Sequence, residues 1–295
     1  MKWMRLASVA AVLMTACASA KPPDLERDVD RILHKNRGKD IAVAFYDLRD
    51  GRTLLRKERT AFHAASMMKV PVMLGIFEMI TRGALDPDQP VLVKNEFTSL
   101  YDGSKYTLKP GDDSDNEMYD YVGRKVSLRI LVRHMIVRSS NLATNNVIEL
   151  VGAKNVMRLM KQIGANDIQV LRGVEDQKAF DHGMNNTTTA YDLMLIFRAL
   201  GEHKIISTAA SETAIAVLAD QEFNAGIPAG LPKGTRVAHK TGDITRVAHD
   251  GGLVFRPDGS NYVLVVLTRG FKNRAAADKV IAEVSRAVWR ATAVK

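Results

Sequence analysis

The strand-forming residues of this 295-residue chain lie at its two ends, separated by a long helical stretch. Near the start, Ile41 to Tyr46 reads as a β-run closed by Asp50-Gly51 and followed by a return strand from Arg52 to Leu55. Near the end come β-runs at Thr235 to Lys240, Leu253 to Arg256 and Tyr262 to Thr268, the last two joined by Pro257-Asp258-Gly259. Two or three short strands alone are marginal in water, so both groups are expected to share one antiparallel sheet. Leu25, Val29, Ile32 and Leu33 form a helical stripe before it, and Val280, Val284, Val288 and Ala291 form another after it. Between them, Leu128, Leu131, Val132, Met135 and Ile136 keep helical spacing, as do Leu193, Met194, Phe197 and Leu200 behind a capping box from Thr189 to Asp192. The expected fold is therefore α+β: an antiparallel sheet flanked by N- and C-terminal helices, with a mostly helical lobe inserted. The sheet lobe takes residues 21–62 and 232–295, and the helical lobe 63–231.

Residues 1–20 read as a signal peptide, since Lys2 and Arg5 precede an apolar stretch, Leu6 to Ala20, that is too short to span a bilayer. Ala18-Ser19-Ala20 offers a cleavage site, while Met14-Thr15-Ala16-Cys17 offers a lipobox whose cysteine would be acylated. The expected location is periplasmic or secreted, or membrane-anchored through Cys17, with no transmembrane span. The formal charge of +9 becomes +7 once Lys2 and Arg5 are removed. Its basic residues are dispersed without a stripe, which argues against nucleic acid and leaves at most an attraction for anionic small molecules. A monomer is expected.

Three short motifs carry chemistry. Ser66-Met67-Met68-Lys69 is the chain's one S-x-x-K; it opens an apolar helical run and sets a lysine one turn from a serine. Pro71 predicts an irregular or kinked start to that helix. Ser139-Ser140-Asn141 ends one helical run and begins another, where taken alone it reads as a cap. His239-Lys240-Thr241-Gly242 closes a β-run, and its lysine, hydroxyl and glycine suit an anionic ligand lying along a strand edge. The alternative for that last motif is an ordinary edge strand carrying a charge.

Taken together and in this order, the three motifs match the S-x-x-K, S-D-N and K-T-G set of penicillin-recognising enzymes. From about Leu25 to the C-terminus the chain resembles class A β-lactamases and, more broadly, the serine penicillin-binding enzymes. The likeness extends through Leu142-Ala143-Thr144-Asn145, Val237-Ala238 and the run Thr187-Thr188-Thr189. The resemblance implies Ser66 as the nucleophile, Lys69 as its activator and Ser139 as a proton relay. It also implies Asn141, Lys240, Thr241 and Gly242 as substrate-binding residues, and an oxyanion site between the backbone N–H groups of Ser66 and Asp243. The substrate would be a β-lactam or a cell-wall peptide, and no cofactor is implied.

The chain also departs from the pattern. Ser140 stands in place of the family's aspartate, Asp243 brings an unusual carboxylate, and Ala248 stands where many relatives place a carboxylate-binding arginine, for which Arg246 and Arg269 are the candidates. The loop Arg172 to Asn186 lacks the E-x-x-L-N signature whose glutamate activates the deacylating water. Glu175 is its one glutamate and the candidate base, ahead of Asp176 and Asp181; a solvated surface carboxylate is the competing reading. Gly234 to Thr241 imitates a P-loop spacing but has His239 where a glycine is required. His239 and His249 are the single thread toward a metal, with no third ligand placed, so none is expected. The readings left open are a β-lactam hydrolase, a D-alanyl peptidase or esterase of the same fold, and a penicillin-binding receptor that is acylated without turnover.

Overall fold

The computed structural model describes residues 24–293; the leader and Cys17 lie outside the described residues. The ends of the chain meet in one antiparallel sheet of five strands: β1 (Asp40–Asp47), β2 (Thr53–Arg56), β3 (Arg236–Ile244), β4 (Val247–Phe255) and β5 (Tyr262–Arg269), in the spatial order β2-β1-β5-β4-β3. The α+β architecture is the expected one. The joint between the two chain ends is the β1–β5 ladder, with Val43 opposite Val266 and Phe45 opposite Leu264.

Both faces of this sheet are covered, which is why its strands read as continuous apolar runs instead of alternating ones. Val43, Phe45, Leu264 and Val266 face helices α1 (Leu25–Lys35) and α9 (Arg274–Ala291), meeting Val29, Ile281, Val284 and Val288. Ala42, Ala44, Val263, Val265 and Leu267 point the other way, into the larger core made with the helical body. Asp24 caps α1 by accepting from the Arg27 N–H, and Asn273 caps α9 by accepting from the Ala276 N–H.

The helical body is built around α2 (Lys69–Thr81), in which every residue from Lys69 to Phe77 is buried. A helix apolar on all sides has no solvent face and belongs at a centre. Gly75 lets its neighbours close in: a Cβ there would stand 2.8 Å from the Val151 Cγ2. Around α2 pack α3 (Leu128–Val137), α4 (Asn141–Val151), α5 (Ala153–Gln162) and α8 (Thr208–Ala219); α7 (Ala190–Gly201) lies against β1, β4 and β5 of the sheet and against α8, and a short α6 (Gln177–Asp181) interrupts the loop from Arg172 to Asn186. The irregular start predicted from Pro71 takes the form of a 3-10 turn, Ala65–Met68, running straight into α2. Pro71 then falls in the first turn of α2, so the carbonyl one turn before it belongs to Met67 of the 3-10 segment and not to α2. The capping box at α7 is half formed: Thr189 accepts from the Asp192 N–H, but the Asp192 carboxylate turns to the backbone N–H groups of Asp167 and Ile168.

Two strand boundaries differ from expectation. β3 continues past Lys240 to Ile244, and β4 begins at Val247 instead of Leu253. The segments missed contain Gly242, Gly251 and Gly252, residues with low strand preference, and the ladder holds them in place through pairs such as Gly251–Lys240 and Gly242–His249.

Phe45 is completely buried, its ring 5.5 Å from that of Tyr262, between the sheet and the terminal helices. Phe45→Ala is expected to cost about 3–5 kcal/mol in denaturant unfolding. Leu92→Ala, at an exposed position, should stay within about 0.5 kcal/mol of the parent.

Candidate active site

The serine of S-x-x-K stands at the seam between the sheet and the helical body. The two-residue strand Phe62–His63 pairs with Thr187–Thr188, and the Ala64 N–H donates to the Asn186 carbonyl at 2.8 Å. Ala65 then adopts φ +46°, which turns the chain sharply and places Ser66 on the 3-10 turn, half-exposed. A non-glycine residue in this left-handed region is strained and persists only where its surroundings hold it. Against this turn runs β3. A Cβ on Gly242 would stand 3.0 Å from the backbone nitrogens of both Ser66 and Met67, so only a glycine lets the strand lie flush against the serine. No acceptor takes the Ser66 N–H among the described residues.

Behind the serine, two lysine amines converge on one hydroxyl. Ser139 sits between α3 and α4 at φ +60°, buried. Its Oγ accepts from the Lys240 Nζ at 2.9 Å and from the Lys69 Nζ at 3.3 Å. Lys69 also donates to the Ser139 carbonyl at 2.5 Å and to the Asn141 Oδ1 at 2.8 Å, and Lys240 to the Thr241 carbonyl at 2.8 Å. Both lysines have no solvent exposure. Burial lowers the Lys69 amine from the usual 10.5 to about 7, with Asp113 the foremost of the acids opposing the change. Burial first, and then the charge of Lys69, hold Lys240 well below its ordinary value. No hydrogen bond joins Lys69 to Ser66 among the described residues; the amine is committed to Ser139 and Asn141.

Ser140 and Asn141 start α4. Ser140, where the family's aspartate would stand, is fully buried and caps the helix by accepting from the Ala143 N–H at 3.2 Å, the role that the motif taken alone suggests. A second cap comes from a distance: both carboxylate oxygens of Asp113 accept from the Asn141 N–H at 2.9 Å, and one of them also takes the Leu142 N–H at 2.9 Å. A carboxylate at a helix N-terminus is favoured by the helix dipole. It fixes the segment that carries Asn141 toward the cleft.

The loop carrying Glu175 is pinned on both sides of it. Asn145 accepts from the Val174 N–H at 2.6 Å and donates to its carbonyl at 3.0 Å, while Gly173 passes so close that a Cβ would stand 2.3 Å from the Asn145 Oδ1. On the other side, buried Asp176 accepts from the Ser99 Oγ, the Leu100 N–H and the Ala179 N–H. These bonds occupy Asp176 and remove it as a candidate base. Asp181 lies at the far end of α6, accepting from the Gln177 side chain. Held between the two anchors at φ +60°, Glu175 turns its Oε1 to the Asn141 Nδ2 at 3.0 Å. Its carboxyl is raised from the ordinary range, first by desolvation and then by the charge of Asp112, with Lys69 acting against them.

These groups border a cleft of about 550 Å3 lined by Ser66, Asn141, Glu175, Asp243, Arg172 and His63 among others. Thr241 and Lys240 are buried and are not among its lining residues. Asp243 does not stand free: its carboxylate takes the Arg274 guanidinium at 2.7 Å, from the start of α9. Of the arginines expected near Ala248, Arg269 is engaged with Asp40 at 2.8 Å and lies over the Phe62 ring, and Arg246 occupies the turn between β3 and β4. Arg274 is the arginine that reaches the site. His239 and His249 do not face each other; they pair with Gly252 and Gly242, and their rings bond to Asp250 and to the His63 carbonyl. Sequence reading missed Asp113, Asn145's grip on the loop, and Arg274. The first and last are single charged residues outside any motif, whereas Asn145 lies in the matched segment after Ser139.

A family model described as the β-lactamase enzyme family matches residues 24–292. Among solved structures, a β-lactamase from Sphaerobacter thermophilus has a TM-score of 0.79 at 24% identity, covering 90% of this chain and 97% of that one. PBP-A gives 0.76 at 24% identity, covering 92% and 97%. A mutant of PBP-A in an acyl-enzyme complex with penicillin G gives 0.75 at 24% identity, covering 92% and 98%. The comparison with curated proteins found no match.

The approach of β3 to the serine turn yields a direct expectation. Gly242→Ala should slow covalent labelling of Ser66 by a penicillin on the order of tenfold or more, because about 1.4 kcal/mol of displacement already has that effect. The far-UV circular dichroism should remain that of the parent. Labelling at the parent rate would show that the close approach is dispensable.

Proposed function

The chain belongs to the β-lactamase enzyme family, and from that premise we propose that it is an exported serine hydrolase that opens β-lactam amides through an ester on Ser66. The observation that carries the reading is the convergence of Lys69 and Lys240 on Ser139 beside the serine turn, with burial holding both amines below their usual pKa. A lysine with a pKa of about 7 is neutral in much of the molecules at neutral pH and can accept a proton.

In this reading the neutral Lys69 keeps its two N–H groups on the Ser139 carbonyl and the Asn141 Oδ1 and turns its lone pair to the serine, and the Ser66 Oγ attacks the lactam carbonyl carbon while giving its proton to that amine. The backbone N–H groups of Ser66 and Asp243 receive the oxyanion. The C–N bond breaks, and the departing nitrogen takes a proton through Ser139, which lies in contact with both amines. Asn141 orients the acyl amide, and Lys240, Thr241 and Gly242 receive the substrate carboxylate. Water then attacks the ester, its proton passes to Glu175, and Ser66 leaves with its proton restored. Glu175 suits the last step because it is tied to Asn141 at the cleft, and desolvation, which raises its pKa from the ordinary carboxyl range, makes it a stronger base. The leader 1–20 would deliver the protein to the periplasm or the exterior, freely or through Cys17, and it would act as a monomer; no helix among the described residues is long and apolar enough to cross a membrane.

A second reading keeps the acylation and stalls before hydrolysis, as in a penicillin-binding receptor. It draws on the loop, where Glu175 is presented without the E-x-x-L-N sequence. Intact mass spectrometry after mixing with a penicillin separates the two. Wild type should show a transient adduct with sustained ring opening, Ser66→Ala no adduct, and Glu175→Gln an adduct persisting on the order of 10²-fold longer. A persistent wild-type adduct supports the receptor, equal turnover by Glu175→Gln removes that residue as the base, and an adduct on Ser66→Ala refutes the nucleophile.

A further inference from the structure

His63 belongs to none of the three motifs, yet it lines the cleft three residues before the serine. Its Nδ1 accepts the Ala65 N–H at 3.0 Å. Ala65 is the residue at φ +46° that turns the chain into the Ser66-bearing 3-10 segment, a conformation that costs a non-glycine residue about 1–3 kcal/mol. That N–H is also a leading donor of a helical turn, with no carbonyl of its own to meet. The imidazole therefore does for this turn what an asparagine or serine side chain does at an ordinary helix start. The rest of His63 is held firmly. Its backbone pairs with Thr187, its carbonyl accepts from the His249 Nε2 at 3.0 Å, and its ring meets that of Phe180 edge-on at 5.8 Å.

We propose that His63 is a positioning residue for Ser66: the neutral imidazole caps the strained Ala65 turn, and protonation of Nδ1 releases it. The inference rests on the reading of Ser66 as nucleophile. An imidazolium carries a proton on each nitrogen, so a protonated Nδ1 would oppose the Ala65 N–H donor to donor. The charged and titratable groups around the ring are Arg172 from the loop and His249 from β4, with Asp112, Glu175, Asp176 and Asp243 the acids of the same cleft. Burial, and then the charge of Arg172, lower the ring's pKa below 6.5, which preserves the acceptor form at neutral pH. Burial and Arg172 thus move loss of the cap toward acid, where it adds a second proton to the acid side of the acylation profile.

The test is the rate of Ser66 acylation by a penicillin, followed by mass spectrometry between about pH 5 and 8, in wild type, His63→Leu and His63→Asn. Leucine fills the space without an acceptor, whereas asparagine offers an acceptor to the N–H two residues on and does not titrate. His63→Leu should acylate about tenfold more slowly at the alkaline end. His63→Asn should recover most of that loss and decline less steeply than wild type in acid, with Lys69 and Glu175 unchanged in all three proteins. A parent rate and profile in His63→Leu would overturn the proposal, as would an acid decline in His63→Asn as steep as that of wild type. A wild type that forms no Ser66 adduct would overturn the nucleophile assignment, and the proposal with it.

Discussion

Two lysine amines buried against a single serine hydroxyl set the terms for the rest of the structure. Ionised and isolated, each would be costly to remove from water. Lowering Lys69 from 10.5 to about 7 corresponds to about 5 kcal/mol against its charged form. The surroundings supply acceptors without supplying a close carboxylate: the carbonyls of Ser139 and Thr241, the Ser139 hydroxyl and the Asn141 amide oxygen. A carboxylate in direct contact would have favoured the charged amine and removed its use as a base. Asp113 and Glu175 remain one residue away, joined to the cluster through Asn141.

The sheet and the helical body are arranged to make this cluster possible. Lys69 comes from the buried central helix, Ser139 from a helix junction, and Lys240 from the edge strand β3. Three non-glycine residues at positive φ, Ala65, Ser139 and Glu175, surround the cleft. Each is held by specific bonds or packing nearby: Ala65 by His63, Ser139 by the lysines, and Glu175 by the anchors of Asn145 and Asp176. Strain concentrated at a cleft and opposed by local hydrogen bonds is the pattern of a site whose geometry is held in place before a ligand arrives.

Much of this was legible in the sequence because it followed from pattern. The closing of the sheet followed from strands too few at either end to stand alone, and the site motifs kept an order that restricted their meaning. What escaped was set by tertiary contact. The strand pattern stops at Lys240, short of Ile244, because Gly242 is a poor strand former, yet that glycine is what lets β3 lie against Ser66. Asp113 caps a helix that begins 28 residues later, a pairing that no local period reveals. Arg274 reaches Asp243 across 31 residues, so the arginine near the strand end came from the following helix instead of from Arg246 or Arg269.

The account stands on an amine at Lys69 that is neutral near physiological pH. Its most direct test is the titration of the Lys69 Nζ by nuclear magnetic resonance of lysine-labelled protein. A midpoint near 7 is the predicted result. A signal that keeps its ammonium character up to the ordinary lysine range, about 10.4, would contradict it.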